Sequence, residues 1–453
     1  MEAATKESRP LFTNQQLWAL IVPLLIEQLL AVAVGMADTM MVSQAGEAAV
    51  SGVSLVDMIN NLIIYLFSAL ATGGAVVTSQ FIGARRIREA GDSAGQLVLL
   101  SLLSGLGILA FCLLCGRPVM RLFFGSITED VMEAGLLYLR ITAVSYPFLA
   151  LYNAGAALFR SVGNSGISMR VSIVMNLINI VGNAIGVLVL HLGVAGVALP
   201  TLISRAVAAF LILRAAEHGA GPVQLHLRGL RLRGHMVRRI LEIGVPSAVE
   251  NGLFQLGRLL VVSIIATFGT AQIAANAVAN NLDGMAILGG QALGLATITV
   301  VGQCVGAGDY AQARRYNRKL MLISWLLIAA SAAAILTSLP LLLNLYNISD
   351  EARVLSAQLV RLHNIPAIAL WCLSFTLPNT LRAAGDARFT MVVSIVSMAV
   401  FRIGFSVVLG IWMGMGAIGV WIAMDIDWVC RVICFVARYF SGAWTRKYQN
   451  YQA

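Results

Sequence analysis

Long apolar stretches dominate the chain, each running about 20 residues or more before a Gly or a cluster of charges ends it, as from Leu322 to Leu345. That is the length an α-helix needs to cross the hydrocarbon core of a bilayer. Twelve such spans are legible: 16–42, 53–82, 94–116, 131–158, 169–190, 194–215, 240–267, 275–305, 320–345, 355–381, 390–411 and 416–437. Barrel strands would instead alternate apolar and polar over about 10 residues. Helices are the other structure that satisfies its backbone groups in lipid. The pattern predicts an all-α polytopic membrane protein with 12 transmembrane helices.

The pattern also repeats. Pro23 and Glu27 in the first span match Pro246 and Glu250 in the seventh, at an offset of 223 positions. The same offset relates Gly46 to Gly269, Gln80 to Gln303, and Gly83-Ala84 to Gly306-Ala307. One residue less relates Arg160 and Gly163 to Arg382 and Gly385, and Val171-Ser-Ile-Val174 recurs as Val393-Ser-Ile-Val396. Collinear matches from the first to the fifth helix of each half are the mark of a duplicated unit. Six spans per half is an even number, so the two repeats lie parallel, related by an axis along the membrane normal. The expected organisation is an N-terminal lobe over 1–215, a linker over 216–239 and a C-terminal lobe with a tail over 240–453.

Composition sharpens this picture. Hydrophobic residues make up 59% of the 453 residues and charged residues 11%, against about 25% charged in soluble domains. Disordered, collagen-like and disulfide-scaffold classes are excluded by the same numbers. The net charge of +10 does not point to nucleic acid, because the basic residues are divided among short loops. With a cytoplasmic N-terminus, 22 Lys/Arg fall on the cytoplasmic side and only Arg117, Arg121 and Arg353 in the opposite loops. This positive-inside bias places both termini in the cytoplasm, in the plasma membrane of a cell such as a bacterium. The basic linker serves topology beside anionic lipid. The charged N-terminus followed by a long apolar run without a small-residue cleavage site reads as a retained first helix.

Motif chemistry is sparse. There is no Gly-x-x-x-x-Gly-Lys-Ser/Thr loop and no His-Glu-x-x-His, and the five histidines are dispersed. All six cysteines lie in apolar segments; Cys112 and Cys115 form a lone CxxC without a second pair, and packed thiols account for them. No cofactor and no enzymatic activity are expected. A two-lobed helical bundle of this kind is the build of a secondary transporter with its site between the lobes.

Ionisable residues at membrane depth are functional suspects. Asp38 is the first, lying about four residues inside the outer end of its span, roughly 6 Å deep. Asn176, Asn179 and Asn183 form a polar stripe on the fifth helix, and Thr201 lies at a comparable depth on the sixth. A carboxylate with amide and hydroxyl oxygens suits a proton or a hard monovalent cation such as sodium; helix–helix hydrogen bonding is the alternative. The second half carries Val261, Phe401, Phe405 and Met424 at the equivalent positions. That asymmetry favours one cation-coupling site, in the first lobe.

Glu27 and Glu250 behave oppositely, because both halves keep Pro-x-x-x-Glu. Proline frees a carbonyl and bends the helix one turn before each Glu. Two readings stay open: carboxylates of a substrate cavity or gate, or a duplicated structural device at the kink. Gln80 and Gln303 read as caps and packing. Asp283, Asp425 and Asp427 have Arg258, Arg402 and Arg431 available as internal partners, and Asp57 reads as interfacial. Trp371, Trp412, Trp421 and Trp428 could stack on a flat substrate or simply pack.

Taken together, Pro23-x-x-x-Glu27, Gly35-Met-Ala-Asp38-Thr-Met-Met-Val-Ser, Gln80-Phe-Ile-Gly83, Arg160-Ser-Val-Gly163-Asn, Pro246-Ser-Ala-Val-Glu250 and Gln303-Cys-Val-Gly306 resemble the multidrug and toxic compound extrusion (MATE) family across essentially the whole chain. The resemblance implies export of drugs or metabolites, driven by inward flow of protons or sodium. Members with the DinF-like pattern carry an Asp in helix one, an Asn and an Asp four apart in helix five, and a Thr in helix six. These positions match Asp38, Asn179, Asn183 and Thr201, with Asn183 standing in place of the second acid. The NorM-like pattern matches less well, since its helix-seven Glu is Phe254 here and helix ten has no acid.

The expected function is therefore a secondary active exporter of amphipathic organic compounds in exchange for protons or sodium, working as a monomer among membrane lipids. The alternatives are a lipid-linked oligosaccharide flippase of the same superfamily, kept alive by Arg205 and Arg258, and a membrane-embedded enzyme or receptor.

Overall fold

The computed structural model describes residues 10–42, 47–125, 128–219, 223, 225, 231–346 and 348–446, and these are almost wholly helical. Gly46 and His226 lie outside the described residues. In the first half the helices are α1 (Asn14–Val42), α2 (Glu47–Gly83), α3 (Ile87–Phe124), α4 (Glu129–Val144), α5 (Tyr146–Ser161), α6 (Ser165–Ala184) and α7 (Ala195–Glu217). The second half contains α8 (Gly234–Ala266), α9 (Thr270–Ala286), α10 (Leu288–Gly306), α11 (Tyr310–Asn344), α12 (Asp350–Trp371), α13 (Leu377–Ala383), α14 (Ala387–Ser397) and α15 (Gly416–Phe440). Wider π-helical turns extend α6 over Ile185–Val189, join α12 to α13 over Cys372–Thr376, and continue α14 over Met398–Gly404 and Ser406–Trp412.

These pieces make twelve spans in two sets of six. Ten are long and apolar enough on their own, and α4 with α5, bent by 46°, makes an eleventh. That bend falls where Pro147 occupies the start of α5, because proline has no N–H for the helix ladder. The span holding α9 and α10 is interrupted at Ile287. The twelfth, α15, carries Asp425, Asp427 and Arg431. It is accommodated because Asp427 and Arg431 are buried against each other, 3.0 Å apart and four residues apart on one face.

The duplicated Arg-x-x-Gly motifs are helix ends. Gly163 (φ 82°) and Gly385 (φ 88°) both adopt the left-handed conformation. In each, the glycine amide bonds to the Arg carbonyl and the next amide bonds one residue further back, all at 2.9 Å. This closes the orphan carbonyls of α5 and α13 in the same way.

The two halves meet along α2 against α8 and α10, and along α1 against α10. Gln80 donates through Nε2 to the carbonyl of Ala383 at 2.8 Å, and Gln303 donates to that of Ser161 at 2.7 Å. Each glutamine thus reaches into the opposite half, onto a residue equivalent to its counterpart's acceptor, so neither is merely a cap of its own helix. The helices touch here because of two glycines. A Cβ on Gly83 would lie 1.9 Å from the Gln303 carbonyl oxygen, and one on Gly306 would lie 1.9 Å from that of Gln80. Nearby, Phe12 and Leu17, Leu20, Ile21 and Leu24 of α1 sit in a core whose other buried members all come from the second half.

Candidate functional site

The polar residues of α1, α6 and α7 converge as a hydrogen-bonded chain. Asn183 donates through Nδ2 to Asp38 Oδ1 at 2.8 Å and to Asn179 Oδ1 at 3.3 Å; Asn179 donates to Thr201 Oγ1 at 3.1 Å, and Thr201 to the Val197 carbonyl at 3.0 Å. Both partners of the Asn183 amide nitrogen are acceptors, which fixes how the amide is turned. Among the described residues its Oδ1 is buried without a hydrogen-bond partner. A buried carbonyl oxygen without a donor is uncommon, and such an atom is open to a cation or a water. Asn176, one turn further along α6, bonds only loosely to Ser172 at 3.4 Å.

Asp38, Asn179 and Thr201 line a cavity of about 550 Å³ within the first half. Two further charged groups line it: Asp57 of α2 and Arg205 of α7. Asp57 accepts from Asn60 at 3.1 Å and from the Tyr138 hydroxyl at 3.2 Å, so it belongs to the cavity and not to an interface. Arg205 donates to Ser145 at 2.8 Å, and among the described residues it forms no ion pair. Asp38 shares its cavity with this arginine, which lies one helical turn from Thr201.

The paired glutamates occupy equivalent pockets of unequal strength. Ser168 donates to Glu27 at 2.6 Å. Glu250 accepts from Ser394 at 2.6 Å and from Thr390 at 3.4 Å, and pairs with Arg382 at 2.7 Å. Thr390 and Arg382 are the repeat equivalents of Ser168 and Arg160, yet among the described residues no ion pair joins Arg160 to Glu27. Glu250 also lines a cavity, whereas Glu27 is turned toward α6.

That second cavity, about 470 Å³, lies between the halves against α8, α10, α12–α13 and α15. Phe254, Trp371, Phe375 and Trp428 line it as a connected cluster: Trp371 stacks on Phe375 at 5.2 Å, while Phe254 and Trp428 meet Phe375 edge-on at 6.1 and 5.5 Å. Arg258, Arg382, Arg402 and Arg431 line it as well. Asp427 bonds to Arg431 and lies 4.0 Å from Arg402. Asp283 and Asp425 flank His363 at 3.4 and 2.7 Å instead of pairing with arginine. His363 carried no sequence signal beyond being a single histidine in an apolar helix; its role follows from two acids on other helices.

With the geometry in view, similar proteins are informative. The MatE family profile matches twice, over residues 23–185 and 246–408, and the two stretches start on the two prolines of the internal repeat. YisQ, an uncharacterized transporter of Bacillus subtilis, is 29% identical over 98% of this chain and 98% of its own length. A probable multidrug resistance protein NorM of Thermotoga maritima is 23% identical over 96% of this chain and 94% of its own. A solved structure, described as the outward-facing conformation of a multidrug resistance MATE family transporter of the MOP superfamily, shares the fold with a TM-score of 0.89. It is 21% identical and covers 95% of this chain and 96% of its own. These proteins are transporters and not enzymes, and this chain, matched over most of its length and in both repeats, belongs to the MATE family.

Proposed function

We propose that the chain is a proton- or sodium-coupled exporter of amphipathic organic compounds in the bacterial cytoplasmic membrane, with both termini cytoplasmic, acting as a monomer. Its working parts are an N-terminal lobe (1–215), a linker (216–239) and a C-terminal lobe (240–453), a division supported by the two family matches. The coupling site is Asp38 with Asn179, Asn183 and Thr201. The observation that carries this reading is the bond from Asn183 to Asp38 with the Asn183 carbonyl oxygen left unpartnered behind the cavity wall. A carboxylate there takes a proton or, with the amide and hydroxyl oxygens, a sodium ion. The cation drives the cycle only if it binds one access state better than the other. Arg205 supplies the internal counter-charge when the cation leaves.

Glu27 and Glu250 serve gating and the substrate cavity, because both repeats keep them where only one keeps Asp38. The test is reconstitution in proteoliposomes with pH and sodium gradients imposed separately. Asp38→Asn is expected to fold yet lose gradient-driven export. Full export by Asp38→Asn under either gradient would overturn the first-lobe coupling site.

A further inference from the structure

The second cavity has more donors than acceptors. Four guanidiniums face it, Arg258, Arg382, Arg402 and Arg431, against two carboxylates, Glu250 and Asp283. Glu250 is taken by Arg382 at 2.7 Å, and Asp283 lies beside His363. Asp427 lies behind the wall, bonded to Arg431. Arg258 has no ion-pair partner among the described residues. Three buried donors on lining residues lack an acceptor among the described residues: Arg382 Nε, Arg402 Nε and Trp428 Nε1. On the acceptor side, Asp283 Oδ1 is the one lining atom left open among the described residues, 3.4 Å from His363 Nε2; Asp427 Oδ2 is open too, but Asp427 does not line the cavity. Buried donors are normally satisfied, so a set left open around one space marks where acceptor atoms bind.

The apolar part of the cavity fixes the ligand's shape. Arg402 and Arg431 flank the ring of Phe254 at 5.5 and 5.4 Å, and Arg431 also lies 5.4 Å from Phe375. Guanidinium planes and aromatic faces side by side form a stacking surface for a flat ring. Two π-helical turns deliver these groups, one carrying Ser374 and Phe375 and the other Arg402, and such turns gather at functional sites.

We propose that this cavity binds flat aromatic anions, an aryl carboxylate being the simplest, with the ring against Phe254, Phe375 and Trp428 and the acid on Arg258 and Arg402. The proposal deepens the export reading by naming a substrate class, and rests on it only for the direction in which the ligand moves. Binding itself needs no gradient.

Equilibrium dialysis of the full chain in phosphatidylcholine nanodiscs, corrected against empty discs, reads this with 2-naphthoate and with 2-naphthylmethylammonium, which keeps the ring and reverses the charge. Naphthoate should bind at least tenfold more tightly. Arg258→Gln, which breaks no ion pair, should weaken naphthoate at least tenfold and leave the unfolding temperature unchanged. Phe254→Glu should invert the preference. Equal or tighter binding of the ammonium probe, or unchanged naphthoate affinity in Arg258→Gln, overturns the proposal. Displacement of naphthoate when phosphatidylglycerol is added to the discs also overturns it, in favour of a lipid headgroup. Binding without driven export in proteoliposomes counts against the coupling reading alone; driven export without anion preference counts against this one alone.

Discussion

At positions 38, 179, 183 and 201 the first half builds a hydrogen-bonded chain that ends on a carboxylate, with an unpartnered acceptor beside it. The equivalent positions of the second half are Val261, Phe401, Phe405 and Met424, and the polar group next to them is Arg402, which donates to the Met424 sulfur at 2.8 Å. Among the described residues lining the cavity there, three unpartnered donors stand against one unpartnered acceptor, Asp283 Oδ1. What the halves retain in common lies elsewhere: the Pro-x-x-x-Glu kinks, the Arg-x-x-Gly helix ends and the Gln/Gly contacts. These are the parts that shape and join two lobes. Duplication has kept the frame, while the second-half equivalents of the polar chain have become apolar and the cavity between the halves carries four guanidiniums against two carboxylates.

The largest expected effect tests the shared frame. Gly306→Val and Gly83→Val each put a side chain into a backbone carbonyl of the other half, an overpacking of about 1–3 kcal/mol that holds this end apart. Both should lower proteoliposome transport by roughly tenfold or more. If only one is harmful, the contact is not symmetric in function. Next is the glutamate pair. Glu250→Gln breaks a largely buried ion pair and should cost about 3 kcal/mol, whereas Glu27→Gln changes one hydrogen bond and should cost about 1 kcal/mol. Thermal unfolding in detergent separates them, and equal shifts would erase the difference between the two pockets. The ions moved per substrate should stay unchanged in both variants.

A smaller change sharpens the contrast in the cavities. Asn183→Asp restores a second acid beside Asp38 and should raise the stimulation by sodium severalfold relative to protons, measured as export under each gradient. An unchanged ratio would separate Asn183 from ion choice. The smallest effect is expected for Asn176→Ala, whose single long bond to Ser172 predicts transport within about twofold of the parent. A large loss would extend the coupling chain one turn along α6.

The twelve spans were legible because lipid demands long apolar helices, and the repeat was legible because its matches are collinear. Even α15, with Asp425, Asp427 and Arg431 inside it, was marked by its length. Within the site, Asp38 with Asn179, Asn183 and Thr201 could be grouped by depth. Other parts depend on rotation about helix axes, which a run of apolar residues leaves undetermined. Arg205 follows Thr201 by four residues, yet only packing shows that it faces the cavity of Asp38. Asp57 looked interfacial because its span starts nearby, and its partner Tyr138 comes from another helix. Gln80 and Gln303 reach across the two halves, so nothing local distinguishes them from caps. His363 is defined by acids 80 residues before it and 62 after it.

Under the proposed coupling and the proposed anionic cargo, the two cavities would govern current as well as ligand choice. A cation drawn inward through the carboxylate side and an anion released outward from the guanidinium side both move positive charge in the same direction. Each elementary charge is worth about 2.3 kcal/mol per 100 mV, so two together draw about 4.6 kcal/mol from that voltage. At about 1.4 kcal/mol per decade, this sustains a concentration ratio of roughly three decades. An exporter that worked this way would run on membrane potential even where the ion concentrations on the two sides are equal, whereas with a cationic cargo the two currents would cancel.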